Sequence, residues 1–166
     1  MNFEDIEIKN FRKVHDWLYR GAQPSEAALG QLKEFGINTI ISFRWTLSVI
    51  LQEKVIVQKL GMNLYNIPLS YWALPNRKEI ERFLEIMDNE KNRPIFVHCQ
   101  HGCDRTGMLI AIYRIAREGW TVDEAYNEMR ACGFHKIRVH HFKWAVYAFG
   151  NRFAKMARKT EAGKDL

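Results

Sequence analysis

The chain has 166 residues, 47% of them hydrophobic, with 25 Lys and Arg against 19 Asp and Glu for a formal charge of +6. That length and apolar content fit one globular domain with a sizeable core, and no apolar run approaches the roughly 20 residues of a membrane span. Three cysteines, Cys99, Cys103 and Cys132, are too few and too unevenly placed for a disulfide framework, which favours a reducing, cytoplasmic compartment.

Residues 1–13 carry alternating charges and read as a lead-in, and the acidic start Met1-Asn2-Phe3-Glu4-Asp5 does not read as a signal peptide. Trp17–Tyr19 is the first predicted strand. Ser25 is a good N-cap for a helix to Phe35, marked by Leu29, Leu32 and Phe35 and closed by Gly36. Asn38–Ser42 is a second strand, Leu47–Leu60 a helix ended by Gly61, and Leu64–Ile67 a third strand. This order of strand, helix, strand predicts an α/β fold: a single domain with a mostly parallel central sheet flanked by helices.

Pro68–Asn76 is irregular, since its two prolines rule out helix, and Asn76 with Glu79 makes a capping pair for a helix through Glu90. Ile80, Phe83, Leu84 and Met87 give that helix its buried stripe. Tyr71 and Trp72 in such a loop are either core plugs or the border of a ligand site.

The most informative stretch is Pro94–Gly107. Ile95–Val97 is a buried-strand run with His98 and Cys99 at its carboxyl end, and a new apolar pattern with helical spacing opens at Thr106. A loop between a strand end and a helix start can aim successive backbone N–H groups, here of Gln100, His101, Gly102 and Cys103, at one point, which makes an anion site. Positive charge from the helix terminus and from Arg105 favours a thiolate at such a position, and the Arg105 guanidinium offers a planar fork that matches phosphoryl oxygens. Thr106 can donate its hydroxyl toward the sulfur, and Gly102 lets the loop curl inward without a Cβ in the way of the phosphate. His98, Cys99, His101 and Cys103 crowd together, but no second Cys/His cluster with metal-ligand spacing lies elsewhere in the sequence, so the site reads as metal-free.

His98-Cys99-Gln100-His101-Gly102-Cys103-Asp104-Arg105-Thr106-Gly107, a Cys-x5-Arg loop, resembles the signature loop of the cysteine-dependent protein tyrosine and dual-specificity phosphatases. Trp17-Leu18-Tyr19-Arg20-Gly21-Ala22-Gln23-Pro24, the Gly36–Arg44 stretch and Asn66-Ile67-Pro68-Leu69 extend the resemblance, toward compact dual-specificity-like members, over residues 14–135. It implies that Cys99 is the nucleophile, Arg105 the phosphate clamp and Thr106 the hydroxyl that helps the thiolate leave, with His98 tuning the cysteine from behind the strand. It also implies that no metal or organic cofactor takes part, and that the partner is a phosphorylated protein or small phosphomonoester. The family's loop aspartate, which protonates the leaving oxygen, is missing: between Leu60 and Met87 the only acids are Glu79, Glu81 and Glu85. Asp104, placed as in the Cys-x-x-x-x-Asp-Arg loops that this segment also resembles in myotubularin and Sac-type lipid phosphatases, is one substitute donor or else a brace of the loop; Glu79 is another.

Thr106–Gly119 predicts a helix packed through Leu109, Ile112, Tyr113 and Ala116, Thr121 with Glu124 caps a short helix to Ala131, and a final helix begins near Arg138. Phe142, Val146, Phe149, Phe153 and Met156 form its packing stripe, and 159–166 read as a frayed basic tail. Residues 136–166 hold eight basic against two acidic side chains and so all of the net charge. This end either is a solvated face or makes a weak contact with an acidic partner or anionic membrane; no motif supports nucleic-acid binding, and a monomer is expected. Three substrate readings stay open: phosphotyrosine, phosphoserine or phosphothreonine in proteins; a phosphoinositide or inositol phosphate, for which His101, Arg44 and Arg77 could supply positive charge; or a phosphate-binding module that has lost turnover.

Overall fold

The computed structural model describes the backbone of residues 2–162 and the side chains of residues 2–153. Five strands form one sheet: β1 (Arg12–His15), β2 (Leu18–Gly21), β3 (Thr39–Ser42), β4 (Asn63–Asn66) and β5 (Ile95–His98). Their spatial order is β1-β2-β5-β3-β4, with only the β1/β2 pair antiparallel. The helices are α1 (Glu26–Phe35), α2 (Leu47–Lys59), α3 (Arg77–Asp88), α4 (Asp104–Glu118), α5 (Val122–Ala131) and α6 (His141–Ala162). This is the expected α/β domain with a mostly parallel sheet.

Alternation along the central strands sorts the core into two layers. Phe96 of β5 and Ile40 of β3 face α1 and α2, while Ile95, Val97 and Ile41 face the layer of α3–α6. His98 continues the Phe96 side, stacked on that ring at 5.6 Å, and Cys99 falls on the other.

Several boundaries differ from expectation for identifiable reasons. The lead-in is structured: it runs into β1, and Phe3 and Phe11 pack at 4.8 Å in an aromatic cluster that includes Tyr19, Phe35 and Phe96. Strand β1 escapes a pattern search because it lies at the sheet edge, half exposed and charged. Helix α4 starts two residues early, at Asp104, so Arg105 belongs to its first turn rather than to the loop. It is also buried all round from Asp104 to Ile115, not on one face, since the sheet, α5 and α6 enclose it. A turn region delays α6 to His141. Met156 of the expected stripe and the basic tail 159–166 lie outside the residues whose side chains are described.

Three caps formed as their sequences suggest. Ser25 accepts from the Ala28 N–H, and the pairs Asn76/Glu79 and Thr121/Glu124 each close a reciprocal box.

Candidate active site

Parallel pairing of β5 with β2 and β3 puts Gly21, Ser42 and His98 level at the carboxyl edge of the sheet, and Cys99 is the next residue. In a sheet of this kind that edge is where ligands bind. The chain then turns through Gln100–Cys103 into α4.

The loop is shaped from outside. The Gln23 N–H donates to the Gln100 carbonyl at 3.2 Å, Asn10 Nδ2 to the His101 carbonyl at 2.9 Å, and Arg20 Nη2 to the Gly102 carbonyl at 2.9 Å. In a trans peptide the N–H points opposite to the C=O. Three carbonyls drawn outward therefore turn the N–H groups of residues 101–103 inward, and the positive end of α4 adds to them. Gly102 has φ +74°, and a Cβ there would lie 2.3 Å from the Gly21 carbonyl carbon. Glycine is needed for that approach to β2, not to clear space for a ligand as the sequence alone suggests.

Cys99 and Thr106 are both buried, and the Thr106 hydroxyl has no partner among the described residues. Arg105 Nη1 donates to the carbonyls of Phe43 and Leu69, each at 3.2 Å. These bonds anchor the guanidinium to the ends of β3 and of the segment after β4, and Nε, buried and unpartnered among the described residues, is left as a donor. Its carbon lies 5.8 Å from the centre of the Tyr71 ring. Tyr71, rather than Trp72, thus borders the cradle; Trp72 is 72% exposed and meets Tyr71 edge-on at 5.1 Å. His141 Nε2, 3.0 Å from the Tyr71 carbonyl, ties this loop to the start of α6.

Behind the strand, His98 Nδ1 lies 3.2 Å from the Cys99 carbonyl and Nε2 lies 2.9 Å from Glu53 Oε1. Glu53 also accepts from Gln23 Nε2 at 2.9 Å. Burial pushes the Glu53 carboxyl up, but the His98 charge and the adjacent His98, Ser42 and Gln23 side chains outweigh it and hold it below the usual carboxylate range. Cys103, by contrast, is pushed up by burial and then by Asp104 and Cys99, which leaves it a thiol and no rival nucleophile. Its sulfur sits 3.2 Å from Asn10 Nδ2.

Asp104 is buried and directs its carboxylate to His135. Oδ1 accepts the His135 backbone N–H at 3.0 Å, and Oδ2 lies 3.0 Å from His135 Nδ1. Glu79 is spent on the cap of α3, where it accepts the Asn76 N–H at 2.7 Å. Of the candidate cations, Arg44 lies near Arg105 and Cys99, pushed down by burial and then by the Arg105 charge. Arg77 pairs with Glu81 on the exposed face of α3 and does not join the site. Beside the cradle opens a cavity of about 400 Å³ whose lining includes Lys9, Tyr71, His101, Cys103, His135 and Arg138. Sequence reasoning found His101 and Cys103 there; Lys9, Asn10, Arg20, Glu53 and His135 carry no local motif.

Comparison with known proteins agrees with this fold. A family model described as DSP-PTPase phosphatase fused to NAD+ kinase matches residues 3–145. The dual specificity protein phosphatase TpbA of Pseudomonas aeruginosa is 25% identical over 125 residues, covering 75% of this chain and 55% of TpbA. The inositol diphosphatase SIW14 of Saccharomyces cerevisiae is 30% identical over 149 residues, covering 84% of this chain and 50% of SIW14. The chain thus spans about half the length of these curated relatives. Among solved structures, the core catalytic domain of SIW14 superposes with a TM-score of 0.73 at 24% identity, over 93% of this chain and 94% of that one. TpbA superposes with a TM-score of 0.71 at 22% identity, over 90% and 93%.

Proposed function

The chain belongs to the DSP-PTPase phosphatase family, and from that premise we propose that it is a cysteine-dependent phosphomonoester hydrolase that works through a phosphocysteine intermediate. The observation that carries the proposal is the anchoring of Arg105 by the Phe43 and Leu69 carbonyls, which leaves its buried Nε free as a donor at the helix end of the loop that Cys99 opens. The Cys99 sulfur attacks phosphorus as the bond to the leaving oxygen breaks. Arg105 and the inward N–H groups carry the charge that develops on the equatorial oxygens. Water then attacks phosphorus, the sulfur–phosphorus bond breaks, and the Thr106 hydroxyl donates to the departing thiolate.

The substrate class proposed first is phosphorylated protein, for which TpbA, named a dual specificity protein phosphatase, is the relevant relative; a structure of TpbA holds pTyr. A second reading is favoured by the side cavity. Lys9, His101, His135 and Arg138 around it suit an alcohol component that itself carries anionic groups, such as an inositol phosphate; SIW14 is named an inositol diphosphatase.

Turnover of para-nitrophenyl phosphate, insensitive to EDTA and inhibited by vanadate, tests the hydrolase. Cys99→Ser is expected to keep vanadate or phosphate binding and to lose at least about a hundredfold in kcat, as removal of a nucleophile does. Retained hydrolysis by that variant overturns the assignment of Cys99, and a wild type that binds phosphate without turnover is a binding module instead. Phosphopeptides and inositol phosphates, compared with wild type and Lys9→Ala, separate the two substrate readings: only the polyanion should lose affinity.

A further inference from the structure

Departure of an alkoxide or phenoxide needs a proton, and the segment after β4 brings no carboxylate to the cradle. Glu79 is bound in its cap, and Asp104 turns both oxygens toward His135. What the arrangement offers instead is an imidazole. His135 lies in the stretch between α5 and α6, and Gly133, with φ +90°, lets that stretch pass close enough to the cradle that a Cβ on it would lie 3.1 Å from Cys103 Sγ. The buried Asp104 carboxylate takes the His135 backbone N–H and faces Nδ1. With Nδ1 so engaged, the mobile proton is carried on Nε2, at the far side of the ring, which has no hydrogen-bond partner among the described residues. The ring is 53% exposed and lines the same cavity as His101 and Cys103.

We infer that His135 is the proton donor to the leaving oxygen and that Asp104 is its positioning residue. This rests on the hydrolase reading above. In the first step the Cys99 sulfur bonds to phosphorus, the phosphorus–oxygen bond breaks, and the leaving oxygen takes the Nε2 proton, so imidazolium becomes imidazole. In the second, Nε2 takes a proton from the attacking water as the sulfur–phosphorus bond breaks and thiolate is restored. The donor then comes from the segment before α6 rather than from the loop after β4. Asp104 of α4 and His101 of the cradle contact His135, and Cys103 of the cradle, Lys9 and Asn10 of the N-terminal segment, Tyr71 of the loop after β4 and Arg138 of its own segment line the same cavity.

The test is a leaving-group series of aryl phosphates, from para-nitrophenyl to para-methoxyphenyl, with kcat/KM followed against pH for wild type, His135→Gln, Asp104→Asn and the double variant. Since general acid catalysis contributes about 10²–10⁴-fold, His135→Gln should lose roughly a hundredfold or more on the methoxyphenyl ester and far less on the nitrophenyl ester, and should lose the basic limb of the pH profile. Asp104→Asn should show the same steepening alone and add none to His135→Gln. Equal losses across the series with the basic limb kept overturn the proposal, and so does Asp104→Asn steepening the series on the His135→Gln background, which would make Asp104 the donor. His135 is exposed, and circular dichroism of its variant separates a folding defect from a lost proton. A wild type without para-nitrophenyl phosphate turnover overturns the hydrolase reading and this inference together; a flat series in an active wild type overturns this inference alone.

Discussion

Gly102 and Gly21 meet backbone to backbone: a Cβ on Gly102 would lie 2.3 Å from the carbonyl carbon of Gly21 and 2.4 Å from its oxygen. The signature loop is thus pressed against the carboxyl end of β2, and neither partner is a flexible side chain that could yield. Gly102→Ala combines this overlap with a positive φ, a strain of about 1–3 kcal/mol by itself. The expected outcome is a Tm lower by about 2–4 °C for each kcal/mol, with para-nitrophenyl phosphate turnover lost because the inward N–H groups shift. An unchanged melting curve with full activity would contradict the packing.

Arg105→Lys should fail despite its charge. Arginine uses Nη1 on two carbonyls and keeps other donors for phosphate, whereas an ammonium is one point with three protons and cannot hold both carbonyls and a planar phosphoryl face. Steady-state kinetics should show kcat lowered by about 10²–10³-fold, the cost of losing a transition-state donor, with only a modest rise in KM. A near-normal kcat would count against the clamp.

Glu53 sets an acid limit on stability. Its carboxyl lies below the ordinary range in the folded chain and within it in the unfolded chain, so the unfolded state binds the proton first as pH falls. The stability it contributes is complete above the ordinary glutamate value of about 4.3 and is lost as pH drops through the folded value. Glu53→Gln should therefore be less stable than wild type at pH 7, by about 1–3 kcal/mol for the buried partners left mismatched, and the gap should narrow as pH falls below about 4.3 and close below the lowered folded value. Thermal melts of the two proteins between pH 3 and 7 check this; a gap constant with pH would remove the ionised Glu53 from the account.

Much of the scaffold was readable because local signals carry it. Ser25, Asn76 and Thr121 cap their helices through residues three positions on, and Cys99 follows a strand that its own β-branched run announces. What stayed hidden is held by distance. Arg20 reaches the Gly102 carbonyl across 82 residues, and Asn10 reaches Cys103 across 93, and no spacing in the sequence marks such pairs. Glu53 carries no local signal on α2, yet it is buried against His98. Asp104 stands out in the signature loop, but its partner His135 depends on how the chain leaves α5. The all-round burial of α4 is not visible in its sequence because its charged residues are satisfied within the fold: backbone carbonyls for Arg105, Glu118 and Glu128 for Arg114.

The strand order has a consequence for assembly. β5 sits between β2 and β3, and it alone joins the β1–β2 hairpin to the β3–β4 pair. During synthesis both pairs emerge before it, each with an open edge able to recruit another chain. Insertion of β5 closes both edges at once, through contacts between residues far apart in sequence, which is a slow step by topology. The residue that directly follows the inserting strand is Cys99. Completion of the sheet and placement of the nucleophile are therefore one event, and a nascent or misassembled chain is left with a thiol but no cradle to use it in.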